Sequence, residues 1–160
     1  MAVAVQPKPL AEREVTITRV FDAPRTLVFK AWTDAKMLAQ WWGPKGFTNP
    51  RCEIDARVGG AIRVDMRAPD GAIYPMDGEF REIVPPERLV FTNNALDEAG
   101  NHIIEGLTTV TFTEVAGKTK MTLHTRGAAV AEIAVKYLQG MEMGWTMSID
   151  KLEALLAHAR

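Results

Sequence analysis

The sequence contains little cysteine, almost no net charge and no long apolar run. Its one cysteine, Cys52, excludes an internal disulfide and a cysteine-rich metal site, and it favours a reducing compartment. The 19 Lys and Arg residues almost balance the 20 Asp and Glu residues, so the net charge of −1 supplies no general attraction for nucleic acid or an anionic membrane. No apolar run approaches the ~20 residues that a membrane-spanning helix requires. We therefore expect a cytoplasmic protein with no nucleic-acid partner and no membrane insertion.

The N-terminal residues lack the pattern of a signal peptide, because their apolar run is short and two prolines, Pro7 and Pro9, come directly after it. We expect residues 1–12 to form a disordered tail. The remaining residues, 13–160, have the length of one domain and enough apolar residues to build a core.

Motifs of known catalytic and metal sites are also missing. His102, His124 and His158 are scattered without the spacing of metal ligands, and no G-x-S-x-G, P-loop or G-x-G-x-x-G motif occurs. We therefore predict no metal site and no cofactor. His124 is out of phase with its apolar neighbours and is expected to face solvent, whereas Cys52 is expected to be a buried, inert thiol.

Short periodic segments make up most of the chain and predict the order strand, two short helices, six strands and one long helix. Strands show alternation of apolar and polar residues, and helices show apolar residues three or four apart. Asp34 is placed to start the second short helix. The predicted strands are 14–21, 51–57, 61–67, 74–84, 88–93, 103–115 and 118–126, with helices at 24–32, from 33 to about 42, and at 130–158, and a polar loop over 95–101.

The last of these helices decides the predicted fold. An antiparallel sheet must bury one of its faces, and only the helix over residues 130–158 has enough apolar surface to cover it. The sequence therefore predicts an α+β helix-grip fold, in which a curved antiparallel sheet of about seven strands wraps around the C-terminal helix.

Several local motifs occur in the order and spacing of one family. They are R-V-F-D-A-P-R (19–25), A-W-T-D (31–34), W-W-G-P (41–44), I-D-A-R-V-G-G (54–60), D-G-x-x-Y (70–74), the run from 78 to 92, and the G-W and K-L pairs within 144–152. The chain resembles the START-like (SRPBCC, birch-pollen-allergen-like) superfamily, and within it the group related to the C-terminal domain of the heat-shock-90 ATPase activator. This resemblance implies a helix-grip fold with a cavity for apolar molecules between sheet and helix. It also implies that a catalysed reaction need not exist, because many members of this group have none assigned.

Large, flexible side chains predominate on the strand and helix faces that are expected to meet. Methionine adapts to irregular space and is common at adaptable binding surfaces, although the same residues would also fill a solid core. The adjacent Trp41 and Trp42 must point to different sides, so Trp41 is assigned to the core and Trp42 either packs beside it or lines a pocket mouth. The candidate ligand-binding residues are Trp42, Phe47, Met66, Tyr74, Met76, Phe80, Phe91, Met121, Met141 and Trp145.

Three polar residues are candidates for the same cavity: Arg19, Asp65 and Glu79. Arg19 is in phase with inward-facing residues of the first strand, and an inward arginine needs a partner, for which Glu79, Asp65 and Glu105 are the candidates. A buried ion pair and a grip on a ligand carboxylate are the two alternatives. Asp55 and Arg57 are assigned instead to stabilising the turn at Gly59-Gly60.

Three functions remain open at this point. The first is binding of a small apolar or amphipathic molecule in the cavity. The second is a cofactor-free cyclase, lyase or hydrolase that uses Arg19, Asp65, Tyr74 and Glu79 for acid–base chemistry. The third, by analogy with the named relative alone, is interaction with a chaperone partner. A homodimer is left open by the resemblance.

Overall fold

The structure is a computed structural model that describes residues 9–158. Within these residues, eight strands and three α-helices follow the predicted order, with one strand more than predicted. Their bounds are β1 Ala11–Phe21, α1 Arg25–Thr33, α2 Ala35–Trp41, β2 Thr48–Ile54, β3 Ala61–Arg67, β4 Ile73–Val84, β5 Arg88–Thr92, β6 Asn94–Leu96, β7 His102–Val115, β8 Lys118–Ala129 and α3 Met141–His158.

All eight strands form one antiparallel sheet, and α3 lies across its inner face. The order across the sheet is β1-β8-β7-β5-β4-β3-β2, while the short β6 pairs with both β4 and β7. The predicted α+β helix-grip fold is therefore confirmed. The additional strand is β6, which occupies the start of the segment predicted as a polar loop over 95–101.

Two predicted boundaries need correction. Strand β1 begins at Ala11 and pairs with Ala129, so Ala11 and Glu12 belong to the sheet and not to the tail predicted over residues 1–12. Residues 1–8 lie outside the described residues. The helix predicted to begin at 130 begins at Met141, because two 3-10 turns, Glu132–Ala134 and Lys136–Gly140, replace its first part.

The core forms where the inward faces of the strands meet the helices. Strand β8 shows the pattern most clearly, since its buried positions alternate with positions that contact solvent over the whole strand. The largest fully buried side chains come from all layers of the fold: Phe21, Trp32, Trp41, Phe80, Leu89, Phe112, Met121, Leu123, Ile149 and Leu152. The sheet and α3 are thus held together mainly by apolar burial.

The two adjacent tryptophans separate at the end of α2. The side chain of Asp34 accepts hydrogen bonds from the backbone N–H groups of Lys36 and Met37 and so starts this short helix. Trp41, its last residue, is fully buried and donates its indole N–H to the carbonyl oxygen of Ala31 over 2.9 Å. Trp42 has extended backbone angles, so its indole leaves the helix in another direction. Trp41 is therefore a core residue, as predicted.

In the described part of the chain, no helix is long and apolar enough to cross a membrane.

Candidate functional site

A cavity of about 230 Å³ lies between the inner face of the sheet and the first half of α3, and it is open to solvent. Its lining is mostly apolar. The helix supplies Met141, Gly144, Trp145 and Ser148, and the segment after α2 supplies Trp42, Gly43 and Pro44. The remaining wall comes from β3, β4, β6, β7 and β8 and from Asn93, which joins β5 to β6.

Glycines create this hollow. Gly106 of β7 and Gly127 of β8 are paired opposite each other, and both are buried on the inner face of the sheet. Across from them, Gly144 presents no side chain from α3, and a Cβ atom there would be 3.9 Å from Cγ of Pro44. Because sheet and helix both lack side chains at this level, the two layers leave space between them.

The structure divides the predicted ligand-binding residues into three groups. Five of them line the cavity: Trp42, Met66, Met76, Met141 and Trp145. Trp42 therefore combines the two alternatives left open for it, since it is only 7% exposed and also forms part of the cavity wall.

The other two groups lie elsewhere. Phe80, Phe91 and Met121 belong to the solid core, where each is at most 3% exposed. Phe47 and Tyr74 contact each other, with ring centroids 6.1 Å apart, and Tyr74 is 40% exposed. None of these five residues lines the cavity. For these five residues, the alternation of apolar and polar positions did not predict a place in the cavity wall. Alternation shows which side chains face inward, but not whether the space between sheet and helix is filled or hollow there.

The predicted polar residues are all outside the cavity. Arg19 does point towards the helix side, but its partners are Asp150 at 2.7 Å and Glu153 at 3.6 Å, both on α3. The predicted partners of Arg19 were therefore wrong. Glu79 instead forms an ion pair with Arg81 at 3.1 Å.

Asp65 alternates with the inward-facing Val64 and Met66, so its side chain lies on the opposite face of β3. The turn pair predicted from the sequence is present, since Nε of Arg57 donates to Asp55 over 2.8 Å.

Four polar residues of the cavity wall were missed in the sequence: Asn93, Asn94, Thr125 and Ser148. The side chain of Asn94 donates to Asp77 over 3.0 Å. The hydroxyl of Ser148 donates to the carbonyl oxygen of Gly144 within the same helix. Thr125 contacts the buried Thr108, which in turn donates to the side chain of Asn93. A signal existed for the threonines, because both are in phase with inward-facing apolar residues of their strands. In the described part of the chain, no charged side chain lines the cavity.

The segment from Gly43 to Phe47 forms one side of the cavity and is fastened to α3. Gly43 and Gly46 have φ angles of 96° and 88°, which favour glycine. The Lys151 amino group lies 3.4 Å from the carbonyl oxygens of both Pro44 and Phe47. Burial lowers the pKa of this amino group. Lys151 therefore holds the segment that carries Pro44 against the helix.

The remaining titratable residues of the described part of the chain lie apart from the cavity. Within residues 9–158, no group of three or more His, Cys, Asp or Glu side chains is arranged to hold a metal ion. His124 is exposed and lies 3.8 Å from Glu14, in agreement with the expected solvent-facing position. Cys52 is half-buried, and burial raises the pKa of its thiol to about 11.

Comparison with known proteins identifies the family. The model of the family described as "Activator of Hsp90 ATPase homolog 1-like protein" matches residues 22–157. The chain belongs to this family. The resemblance seen in the sequence is thereby confirmed, and the cavity just described lies in a helix-grip fold of the ligand-binding kind.

Solved structures of similar proteins support the same assignment. Protein CV1439 from Chromobacterium violaceum is 29% identical with a TM-score of 0.74, over 89% of this chain and 96% of that chain. A protein from Arthrobacter aurescens is 27% identical with a TM-score of 0.79, over 91% and 86%. The AHSA1 (SPO3351) protein from Silicibacter pomeroyi is 25% identical with a TM-score of 0.76, over 92% and 100%. Among proteins with a curated function, none matches the sequence.

Proposed function

We propose that this protein binds a small apolar or amphipathic molecule in the cavity between the sheet and α3. The observation that carries the proposal is the cavity itself, which is mostly apolar and lies where sheet and helix both carry glycine. Removing apolar ligand surface from water supplies the driving force for such binding.

The cavity volume limits the size of the ligand. Pockets for drug-sized ligands usually measure roughly 300–1,000 Å³. At about 230 Å³, this cavity is slightly smaller than that range. A molecule of one or two rings, or a short chain, is therefore the expected occupant.

Binding is tested with the neutral two-ring fluorophore 1-aminonaphthalene, which matches the size of the cavity. We expect its emission to rise saturably with one molecule bound, and the emission of Trp42 and Trp145 to change with it because both line the cavity. Gly144→Leu should abolish the binding, since the new side chain fills the hollow next to Pro44.

Gly140→Leu is the matched control for this variant. Gly140 lies four residues before Gly144, at the end of the second 3-10 turn. No atom lies within 4 Å of a Cβ placed at Gly140, and this residue does not line the cavity. This variant should bind like the original protein. Equal binding by both leucine variants, or no saturable binding by the original protein, would contradict the proposal. Native mass spectrometry of the purified protein would additionally reveal a bound small molecule.

The enzymatic alternative has less support. Its candidate residues, Arg19, Asp65, Tyr74 and Glu79, do not line the cavity, so they have no common substrate to act on there. Acid–base catalysis requires the catalytic group within hydrogen-bond reach of the reacting proton.

The chaperone alternative rests on the description of the family alone. A pull-down with an Hsp90-type ATPase tests it directly, and absence of binding would remove this alternative.

A further inference from the structure

The cavity wall includes a side-chain amide whose nitrogen has no hydrogen-bond partner among the described residues. The side-chain amide of Asn93 lines the cavity, and its oxygen Oδ1 accepts from the hydroxyl of Thr108 over 2.8 Å. Among the described residues, none accepts a hydrogen bond from the amide nitrogen Nδ2. An amide nitrogen has two N–H groups, so this nitrogen retains its donors for a ligand or for water in the cavity.

Two buried threonines hold the oxygen end of this amide, in the orientation that the structure gives it. A hydroxyl has a single proton, and that of Thr108 is used for Asn93. The 2.8 Å contact between Thr108 and Thr125 must therefore be donated by Thr125. Both threonines are at most 1% exposed, so water does not compete for this chain. The direction of the chain, from Thr125 to Thr108 to Oδ1, leaves Nδ2 as the free end.

The backbone around Asn93 is built to place the amide at the wall. The N–H group of Asn93 donates to the carbonyl oxygen of Gly106 over 3.0 Å. A Cβ atom on Gly106 would lie 2.6 Å from the carbonyl oxygen of Asn93 and 3.0 Å from its Nδ2 atom. The glycine that helps to open the cavity thus also makes room for the amide.

We propose that Asn93 determines ligand specificity, by donating a hydrogen bond to a carbonyl oxygen of an uncharged, otherwise apolar molecule. This inference rests on the proposed binding function and adds a chemical class of ligand to it. A pure hydrocarbon would displace water from Nδ2 of Asn93 and leave its N–H groups without an acceptor, and this loss weakens hydrocarbon binding. A carboxylate would be buried without a cation, because no charged side chain of the described residues lines the cavity.

Three ligands with a common naphthalene ring test this class: 2-acetylnaphthalene, its hydrocarbon analogue 2-isopropylnaphthalene, and 2-naphthoate. Calorimetric titration at pH 7 should show the ketone bound about five- to tenfold more tightly than the hydrocarbon, which corresponds to one hydrogen bond. The carboxylate should bind more weakly than the ketone. Equal affinities for ketone and hydrocarbon would overturn the inference on the unaltered protein.

Variants assign the preference to Asn93. Asn93→Leu should reduce the ketone-to-hydrocarbon ratio to about one while the hydrocarbon still binds, since a single hydrogen bond is removed. Asn93→Asp preserves the shape and the acceptor for Thr108 but has no N–H group, so it should lose the same preference even where the leucine variant folds poorly. Thr109→Val is the control, because it also removes a polar group from the sheet, on strand β7, at a residue that does not line the cavity. It should keep the preference.

The two levels of proposal fail in different ways. If neither ketone nor hydrocarbon binds the original protein, the binding function and the inference about Asn93 are both overturned. If both bind and the Asn93 variants keep the ketone preference, the binding function stands and the assigned role of Asn93 is wrong.

Discussion

At the scale of single residues, burial is the main influence on the pKa of the Cys52 thiol. Desolvation is the main cause that raises the pKa of its thiol, and the charge of Glu53 adds to it. The thiolate is the reactive form of cysteine. Cys52 is half-buried in β2 and not fully buried as expected, and its raised pKa leads us to predict low reactivity. It does not line the cavity.

The resulting prediction concerns alkylation of Cys52 by iodoacetamide at pH 8. The pKa rises from 9.0 to about 11, so the folded protein contains about 100-fold less thiolate than the unfolded chain. The alkylation rate should fall by at least this factor relative to the protein in urea. Because Cys52 is the single thiol, mass spectrometry assigns the modification without ambiguity. Similar rates for folded and unfolded protein would show that the thiol is not desolvated.

At the scale of elements, the paired strands β7 and β8 contribute both core and cavity. Over most of their length their inward residues are large, and at Gly106 and Gly127 they carry no side chain. The same pair supplies Thr108 and Thr125 one step further along the strands. The glycines that open the cavity and the threonines that hold the Asn93 amide are thus neighbours on one pair of strands.

Alanine at the two glycines should have unequal effects. In Gly106→Ala the new Cβ meets a backbone oxygen at 2.6 Å, which cannot move away without shifting the strand, so we expect a loss of about 3 kcal/mol. In Gly127→Ala the Cβ meets Sδ of Met141 at 3.0 Å and Cδ2 of Leu138 at 3.2 Å, both ends of flexible side chains. The expected loss there is below about 1 kcal/mol.

Urea unfolding measures this difference, and each glycine variant serves as the control for the other. The two substitutions make the same chemical change at paired positions, so their effect on the unfolded chain is similar. A larger loss for Gly127→Ala than for Gly106→Ala would contradict the geometry of the wall.

Element prediction from the sequence succeeded where periodicity was long and failed where tertiary pairing decided. Strand β3, residues 61–67, was predicted with its observed bounds because apolar and charged residues alternate along all of it. Strand β6 was missed because three residues are too few to show alternation, and its pairing with β4 and β7 fixes it. The helix start was placed too early because 3-10 turns and α-helices share similar apolar spacing over one turn.

The cavity was predictable in location but not in extent. Trp42, Met66, Met76, Met141 and Trp145, five of the ten candidate ligand-binding residues, line it. Its boundary depends instead on glycines from three elements that meet only in the fold. The alternation of side chains along one strand does not show which residues of other elements face that strand. Asn93 and the pair Gly106 and Gly127 were therefore not identified as parts of the cavity wall.

At the scale of the whole molecule, four tryptophans join the helices into one layer. Trp32 of α1 lies with its ring centroid 4.6 Å from that of Trp41 in α2, and Trp145 of α3 lies 5.2 Å from Trp42. Trp32 and Trp145 are stacked at 6.2 Å, which connects the two pairs. Tryptophan emission thus reports on the packing of the helices against one another, whereas far-UV circular dichroism is sensitive to the sheet.

These two probes test whether residues 13–160 form a single cooperative domain, as expected from the sequence. Both transitions in urea should coincide at one midpoint, because Trp32 also packs against Phe91 of β5 and Phe112 of β7 and so ties the helix layer to the sheet. Gly140→Leu supplies a control that does not touch the tryptophans or the cavity wall. A lower midpoint for emission would mean that the helices separate from the sheet before it unfolds. The cavity between them would then exist only within the narrower range of conditions in which the helix layer remains packed.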